Sequence, residues 1–288
     1  MSLLVYINGQ LLPKDKACIS VFDHGFLYGD GIFEGIRVYK GGIFKLKEHI
    51  DRLYRSAKII DLEIPLDKDD LQEDVIRTVR ANGLKEGYIR LVVTRGVGDM
   101  GLDPRKCERP SIVIIVVSMP RYLGKPLRVI ISSTRRMPYQ CLPPHAKTLN
   151  YLNNILAKIE AISAGVDEAI MLDLNGYVAE ATGENVFIVK NGVLMTPPIT
   201  APILAGITRE SIIDMSKELG IPVVERQLTI DELYTADEIF LCGTASEIRP
   251  VIEVDGRIVG NGKTGPITEK LIKHFDEYIQ RYLTPVYG

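Results

Sequence analysis

Four turn pairs punctuate the chain: Asn8-Gly9, Gly41-Gly42, Asn175-Gly176 and Asn191-Gly192. Each lies in a stretch rich in strand formers: "LLVYINGQLL", "IFEGIRVYKGGIFKL" and "EAIMLDLNGYVAEATGENVFIVKNGVLMTPP". A two-residue connection needs positive φ, which Gly and Asn tolerate, and its twist suits two antiparallel strands. Hairpins therefore outnumber β-α-β units, which disfavours a doubly wound parallel sheet.

Helical patterns lie between the strands. "KEHIDRLYRSAKII" carries Ile50, Leu53, Ala57 and Ile60 on one face, and "DKDDLQEDVIRTVRANG" repeats the spacing with Leu71, Val75, Ile76 and Val79 before stopping at Asn82-Gly83. With the strands "GYIRLVVTRG" and "SIVIIVVSM", these predict a small α+β domain over residues 1–119. "PRYLGKP" opens a linker over residues 120–127. The second domain, 128–288, begins with the strand "LRVIISS" and the helix "LNYLNNILAKIEAISAG", stopped at Gly165. An antiparallel meander follows. "TRESIIDMSKELG" reads as a helix with Thr208 as N-cap and Gly220 as its stop. The strand "EIFLCGT" and a helix through "PITEKLIKHFDEYIQRYL" complete an α+β chain of 288 residues, a length that suits two domains.

A formal net charge of -2 gives no electrostatic reason to expect nucleic acid or an acidic membrane surface. Cys18, Cys107, Cys141 and Cys242 are widely spaced, which suits a reducing compartment rather than a disulfide framework. The four histidines show no metal-ligand spacing. The amino terminus lacks the pattern of a signal peptide, and the most apolar run is too short to span a bilayer. The expectation is a cytoplasmic protein. "YGDGIFEG" offers Gly29, Gly31 and Gly35, but a dinucleotide site needs such glycines to open a helix, and here the pattern opens a strand.

Chemistry concentrates in four places. Lys147, in "HAKTLNYLNN", stands at the mouth of a helical pattern. "LAGITRES" sets Gly206, Ile207 and Thr208 at a helix start, and "CGTASEI" sets Gly243, Thr244 and Ala245 in a small-residue turn; both suit a phosphate. Arg52 lies beside an apolar helix face. Glu180 sits mid-strand, and if Val178 faces the core, alternation turns Glu180 inward too, where a carboxylate needs a partner. Each also reads as an ordinary cap, turn, surface arginine or edge glutamate. Together, an amine, a phosphate cradle and a carboxylate for a protonated ring nitrogen are the handles that pyridoxal phosphate requires.

The segments "HGFLYGDGIFEGIR", "HIDRL", "GYIRLVVTRGVGDMGLD", "AKTLNYLNN", "YVAEATGENVFIVKNGVL", "AGITRESI" and "CGTASEI", in this order, resemble the branched-chain amino acid aminotransferases of the fold-type IV pyridoxal-phosphate family. The resemblance covers nearly the whole length. It implies a D-amino acid aminotransferase-like architecture, a small α+β domain plus a larger β-barrel-like domain with helices. It implies that Lys147 is the Schiff-base lysine, that Glu180 binds the pyridine nitrogen and Tyr151 the ring's phenolic oxygen, and that Arg52, Gly206, Ile207, Thr208 and Thr244 hold the phosphate. Tyr28, Phe33 and Tyr122, with Gly35, would form the side-chain pocket. Tyr88 and the backbone at Thr244 and Ala245 would meet the substrate α-carboxylate, and Arg90 the distal carboxylate of glutamate. Met100 and Leu102 would reach a neighbouring subunit's site in a homodimer or hexamer. The substrates implied are amino acids and 2-oxo acids.

The chain departs from the family in having no tryptophan. Some members place one beside the pocket, at about Pro120 or Arg121. Neighbouring activities on the same scaffold are D-amino acid and amine transamination and 4-amino-4-deoxychorismate cleavage. "TGEN", where a D-enzyme would carry serines, and Arg90 favour the branched-chain reading.

Overall fold

The hairpins form where the turn residues allow positive φ. In the computed structural model, which describes residues 3–287, Asn8 and Gly9 join β1 (Leu4–Ile7) to β2 (Gln10–Pro13) with φ of +48° and +94°. After the short helix α1 (His24–Tyr28) come β3 (Gly31–Tyr39) and β4 (Gly42–Phe44). Their turn is Lys40-Gly41, not Gly41-Gly42: Tyr39 pairs with Gly42, which closes the ladder one residue earlier than the glycine pair suggests. Gly29 ends α1 in a left-handed conformation and Gly31 opens a strand. The glycine-rich stretch thus runs from helix to strand, opposite to a dinucleotide site.

α2 (Leu46–Ile59), α3 (Lys68–Ala81), β5 (Gly87–Thr94) and β6 (Ser111–Val117) complete the first half. Ile50, Leu53 and Ala57 of α2 and Leu71, Val75, Ile76 and Val79 of α3 pack on Ile32, Ile36 and Val38 of β3 and Ile89, Leu91 and Val93 of β5. Side chains alternate along a strand. Phe33 and Gly35 of β3, and Tyr88 and Arg90 of β5, therefore occupy the face away from the helices.

The second half starts with β7 (Leu127–Ile131), α4 (Leu152–Ser163), β8 (Glu168–Leu172), β9 (Val178–Ala181), β10 (Asn185–Lys190) and β11 (Val193–Thr196). It continues through α5 (Ile207–Glu218), β12 (Val223–Glu225), α6 (Ile230–Tyr234), β13 (Glu238–Gly243), β14 (Glu247–Val254), β15 (Arg257–Ile258) and α7 (Pro266–Gln280). Its main sheet runs β12-β11-β10-β13-β14-β7-β8-β9, with β15 on β14. Within the expected meander β8 pairs antiparallel with β9 and β10 with β11, but the sheet as a whole is mixed, because β7 pairs in parallel with both β8 and β14, and β11 with β12. The sheet curls into a half-barrel: β9 ends the order, yet residues 182–184 alone connect it to β10, and Ala181 N–H bonds the Glu184 carbonyl across that turn. A final strand, β16 (Leu283–Pro285), pairs with β4, making the first sheet β16-β4-β3-β5-β6-β1-β2 and antiparallel throughout.

Two compact units result. One holds the chain up to Pro120, Ala146–Asn150 and the stretch from Tyr282; the other holds Arg121–His145 and Tyr151–Arg281. By sequence order alone, Ala146–Asn150 and the last residues fall in the second domain and 120–127 is a linker. The pentapeptide joins the first unit because it extends that unit's sheet: Phe33 N–H bonds the Lys147 carbonyl at 2.9 Å and Leu149 N–H the Gly31 carbonyl at 3.0 Å. Lys147 is consequently not in the first turn of a helix; α4 begins at Leu152. Among the described residues, no helix is long and apolar enough to cross a membrane.

Candidate active site

In the first unit, the backbone of Lys147 is tied down on both sides. Its carbonyl accepts from Phe33, and its own N–H bonds Ser56 Oγ of α2 at 3.1 Å. Its Nζ lies 4.6 Å from the centroid of the Phe33 ring. The Arg90 guanidinium lies 4.3 Å from the same ring and 5.7 Å from that of Tyr88. No described residue forms an ion pair with Arg90. Gly35 is required here: a Cβ would stand 1.9 Å from the Tyr88 hydroxyl. The face thus gathers Phe33, Gly35, Tyr88, Arg90 and Lys147 around apolar rings and a cation open to an anion.

On the helix side of β3, Glu34 is fully buried. It accepts from Arg52 Nε and Nη2, both at 2.7 Å, and pairs with His49 Nδ1 at 2.8 Å. Burial would raise its pKa, but the Arg52 guanidinium and then His49 hold it far below the usual carboxylate range. Burial pushes His49 down against the pull of Glu34, and the charges of Arg52 and Lys147 lower it further. A neutral imidazole donating from Nδ1 to the carboxylate leaves Nε2 as an acceptor. That atom is buried and has no hydrogen-bond partner among the described residues. The sequence marks Arg52, but reading it alone misses Glu34, His49 and Ser56. The i, i+3 spacing of His49 and Arg52 is a usable signal; their meeting with Glu34 needs the sheet.

Tyr28 belongs to another feature. Its hydroxyl donates to the Met100 carbonyl at 2.5 Å, and His24 Nε2 bonds the Asp99 carbonyl at 2.8 Å. The loop backbone is tethered while Met100 and Leu102 remain 73% and 80% exposed.

In the second unit, Glu180 is buried. Its Oε1 pairs with Arg136 Nη2 at 2.7 Å, and its Oε2 accepts from Leu204 N–H at 3.0 Å and Asn185 Nδ2 at 3.2 Å. The alternation expected from Val178 is corrected. A bulge in β9 pairs Leu172 with Val178 but Met171 with Glu180. Val178 and Ala181 share one core with Ile170 and Leu172, whereas Met171 packs with Ala157, Ala161 and Ala169. Glu180 therefore lies on the face opposite Val178. Sequence reading misses Arg136 and Asn185, since nothing in their local sequence marks them.

The N-cap of α5 is Gly206, not Thr208, and no side chain caps it. A Cβ there would stand 2.1 Å from Asn185 Oδ1, so the Glu180-bound asparagine demands glycine. Thr208 lies inside the first turn, buried, beside Ile207. A helix start without its own cap leaves N–H donors for an anion. Gly243 and Glu247 close a hairpin whose loop is Thr244, Ala245 and Ser246, and the Ser246 hydroxyl is buried in it. Burial and then the Glu168 carboxylate push nearby Glu184 up to about 7. Tyr151 is the N-cap residue of α4, and Tyr122 lies with its ring 5.1 Å from Lys125 Nζ. An uncapped helix start, a polar turn and an oriented carboxylate fit the phosphate and the protonated nitrogen of pyridoxal phosphate. No group of three or more His, Cys, Asp or Glu among the described residues is arranged to hold a metal ion.

The first unit offers a lysine tied through its backbone to β3 and α2, the second a buried carboxylate and an uncapped helix start, and residues 31–254 match amino-transferase class IV. The chain belongs to that family and is an aminotransferase. It is 55% identical to a Methanocaldococcus jannaschii protein provisionally named branched-chain-amino-acid aminotransferase, over 98% of this chain and 99% of the relative. The crystal structure of Escherichia coli branched-chain amino acid aminotransferase superposes with a TM-score of 0.96 at 38% identity, covering 100% of both chains. That of the Thermobaculum terrenum branched-chain amino acid aminotransferase in its PLP-bound holo form gives 0.93 at 34%, covering 100% of this chain and 99% of that one.

Proposed function

We propose that the enzyme uses pyridoxal 5'-phosphate to move the amino group of leucine, isoleucine or valine to 2-oxoglutarate, giving branched-chain 2-oxo acids and L-glutamate. The observation that carries this reading is the Arg90 guanidinium stacked on Phe33, beside Lys147. One surface then offers an apolar wall for leucine and a cation for the distal carboxylate of glutamate, which cannot be buried alone. The similarity to branched-chain aminotransferases supports the substrate class, and the holo form of one of them supports the cofactor.

When bound, the cofactor supplies the aldehyde carbon and electron-accepting ring on which the amino group is exchanged. Lys147 would hold that carbon through its ε-amine, and the same amine, when free, would be the group placed to take and return the proton at substrate Cα. Glu180, oriented by Arg136, Asn185 and Leu204, holds the proton on the ring nitrogen, and Tyr151 meets the phenolic oxygen. Arg52, the N–H groups after Gly206 at Ile207 and Thr208, and Thr244 hold the phosphate. Tyr88 with the backbone at Thr244 and Ala245 takes the α-carboxylate, and Tyr28, Phe33, Gly35 and Tyr122 shape the side-chain pocket.

The enzyme works as a homo-oligomer of at least two chains, with Met100 and Leu102 completing a neighbour's pocket. Their exposure on a tethered loop supports this, as does the exposed apolar stripe of α4 formed by Leu152, Ile155, Leu156, Ile159 and Ile162. The unpaired thiols suit the cytoplasm. A panel of amino donors with 2-oxoglutarate, including both enantiomers of leucine and alanine, tests the assignment. Turnover of L-leucine and L-glutamate is expected; faster turnover of D-alanine would replace the reading with a D-amino acid transaminase.

A further inference from the structure

Glu247 follows the Thr244–Ser246 turn with φ of +63°, a left-handed conformation where glycine or asparagine is usual. Its carboxylate is fully buried and turned to the segment before β7. Oε1 accepts from Arg121 Nε at 2.7 Å, and Oε2 accepts from the backbone N–H groups of Tyr122 at 3.0 Å and Leu123 at 2.9 Å. Arg121 is held again by Asp276 of α7 at 2.7 Å, and Gly124 N–H bonds the Ile248 carbonyl at 2.8 Å. The segment that reads in the sequence as a linker is thus clamped from Arg121 to Gly124.

We propose that Glu247 is a positioning residue for substrate selection: its backbone shapes the turn that meets the α-carboxylate, and its side chain fixes the loop carrying Tyr122. This rests on the reading that Tyr122 and that turn contact substrate. One residue then sets the distance between the α-carboxylate site and one wall of the side-chain pocket. A backbone outlier bearing a buried charge persists only where its surroundings hold it, and here three donors on one loop do so.

The chemistry orders the variants. A carboxylate offers two acceptor oxygens, an amide only one. In Glu247→Gln the amide oxygen can keep the Tyr122 and Leu123 N–H groups while the NH2 turns to Arg121, which can swing toward solvent. Glu247→Gly relieves the left-handed strain but deletes both anchors. The test uses the cofactor-loaded enzyme: half-reactions with leucine and alanine, the cofactor's absorption band, and melting temperature. Glu247→Gly is expected to lower the leucine-over-alanine preference on the order of tenfold, as loss of charge-assisted bonds implies. The cofactor band should persist, melting should fall because Arg121 and two backbone N–H groups lose their buried acceptor, and in preference per folded enzyme Glu247→Gln should fall between Gly and the parent. Arg121→Met should resemble Gln. An unchanged preference in Glu247→Gly, or a fall only in proportion to lost folded protein, overturns the proposal. If Tyr122→Ala also leaves the preference unchanged, the reading of Tyr122 as a pocket wall falls; if Tyr122→Ala changes it and Glu247→Gly does not, the positioning role alone is refuted.

Discussion

The N–H of Phe33 donates to the carbonyl of Lys147 at 2.9 Å, so the lysine is held as an added strand rung beside β3 rather than by a helix. Both backbone anchors survive truncation of the side chain. Lys147→Ala should therefore melt close to the parent enzyme while losing transamination by at least about a thousandfold, the scale of removing a covalent and acid-base group. Borohydride reduction of the yellow enzyme followed by peptide mapping should put the label on Lys147. A label on another lysine would sink the assignment.

Glu180→Gln should retain the fold and part of the cofactor but slow Cα–H abstraction. A neutral amide cannot hold the ring proton, and it also leaves Arg136 without its charged partner, 2.7 Å away in the parent. Losing a charge-assisted bond of about 1.5–3 kcal/mol should slow the step at least roughly tenfold. Single-turnover kinetics with leucine measures it, and an undiminished rate removes Glu180 from its role.

Arg90→Met should separate the two half-reactions. Removing the cation that would meet a distal carboxylate should cost about 2 kcal/mol or more, roughly thirtyfold, with glutamate or 2-oxoglutarate. Leucine should be affected much less, because Met keeps an apolar contact with Phe33. Following the cofactor's colour in each half-reaction decides. Equal losses would mean that Arg90 serves the α-carboxylate or the fold instead.

The tethered loop predicts complementation. A Lys147→Ala chain mixed with a chain carrying Met100→Asp and Leu102→Asp should regain activity at one site per mixed dimer, since each site needs one intact lysine and one intact loop. Subunit exchange is verified by tagged chains. Exchange without recovery would show that each chain completes its own site.

Glu184 predicts a pH effect on stability. Its folded pKa of about 7 lies above the ordinary 4.5. The protonated form is therefore the one the fold favours, so its contribution is full below pH 4.5 and is lost as pH rises to about 7. Glu184→Gln, neutral at every pH, should match the parent's melting temperature near pH 4.5 and exceed it at pH 8. An identical difference at both pH values would count against a raised carboxyl.

The local features were legible in the sequence because their causes are local. Asn8-Gly9 and Asn191-Gly192 dictate hairpins through φ, and the apolar spacing of α2 and α3 marks the faces that cover the first sheet. Lys147 and the small-residue start of α5 at Gly206, Ile207 and Thr208 were readable as chemical types, but that Gly206 rather than Thr208 is the N-cap was not. Other decisions required distant strands to meet. Residues 146–150 leave their sequence neighbours because β3 offers unpaired ladder positions beyond the short β4. Glu180 changes face because β9 carries a bulge whose partner is β8. Glu34, His49 and Arg52 become one buried charge cluster only when α2 lies across β3, and Glu247 reaches Tyr122 and Leu123 only because β14 pairs with β7. Turn geometry and periodicity act over a few residues, whereas strand register and the pairing of buried charges are set by which segments share a sheet.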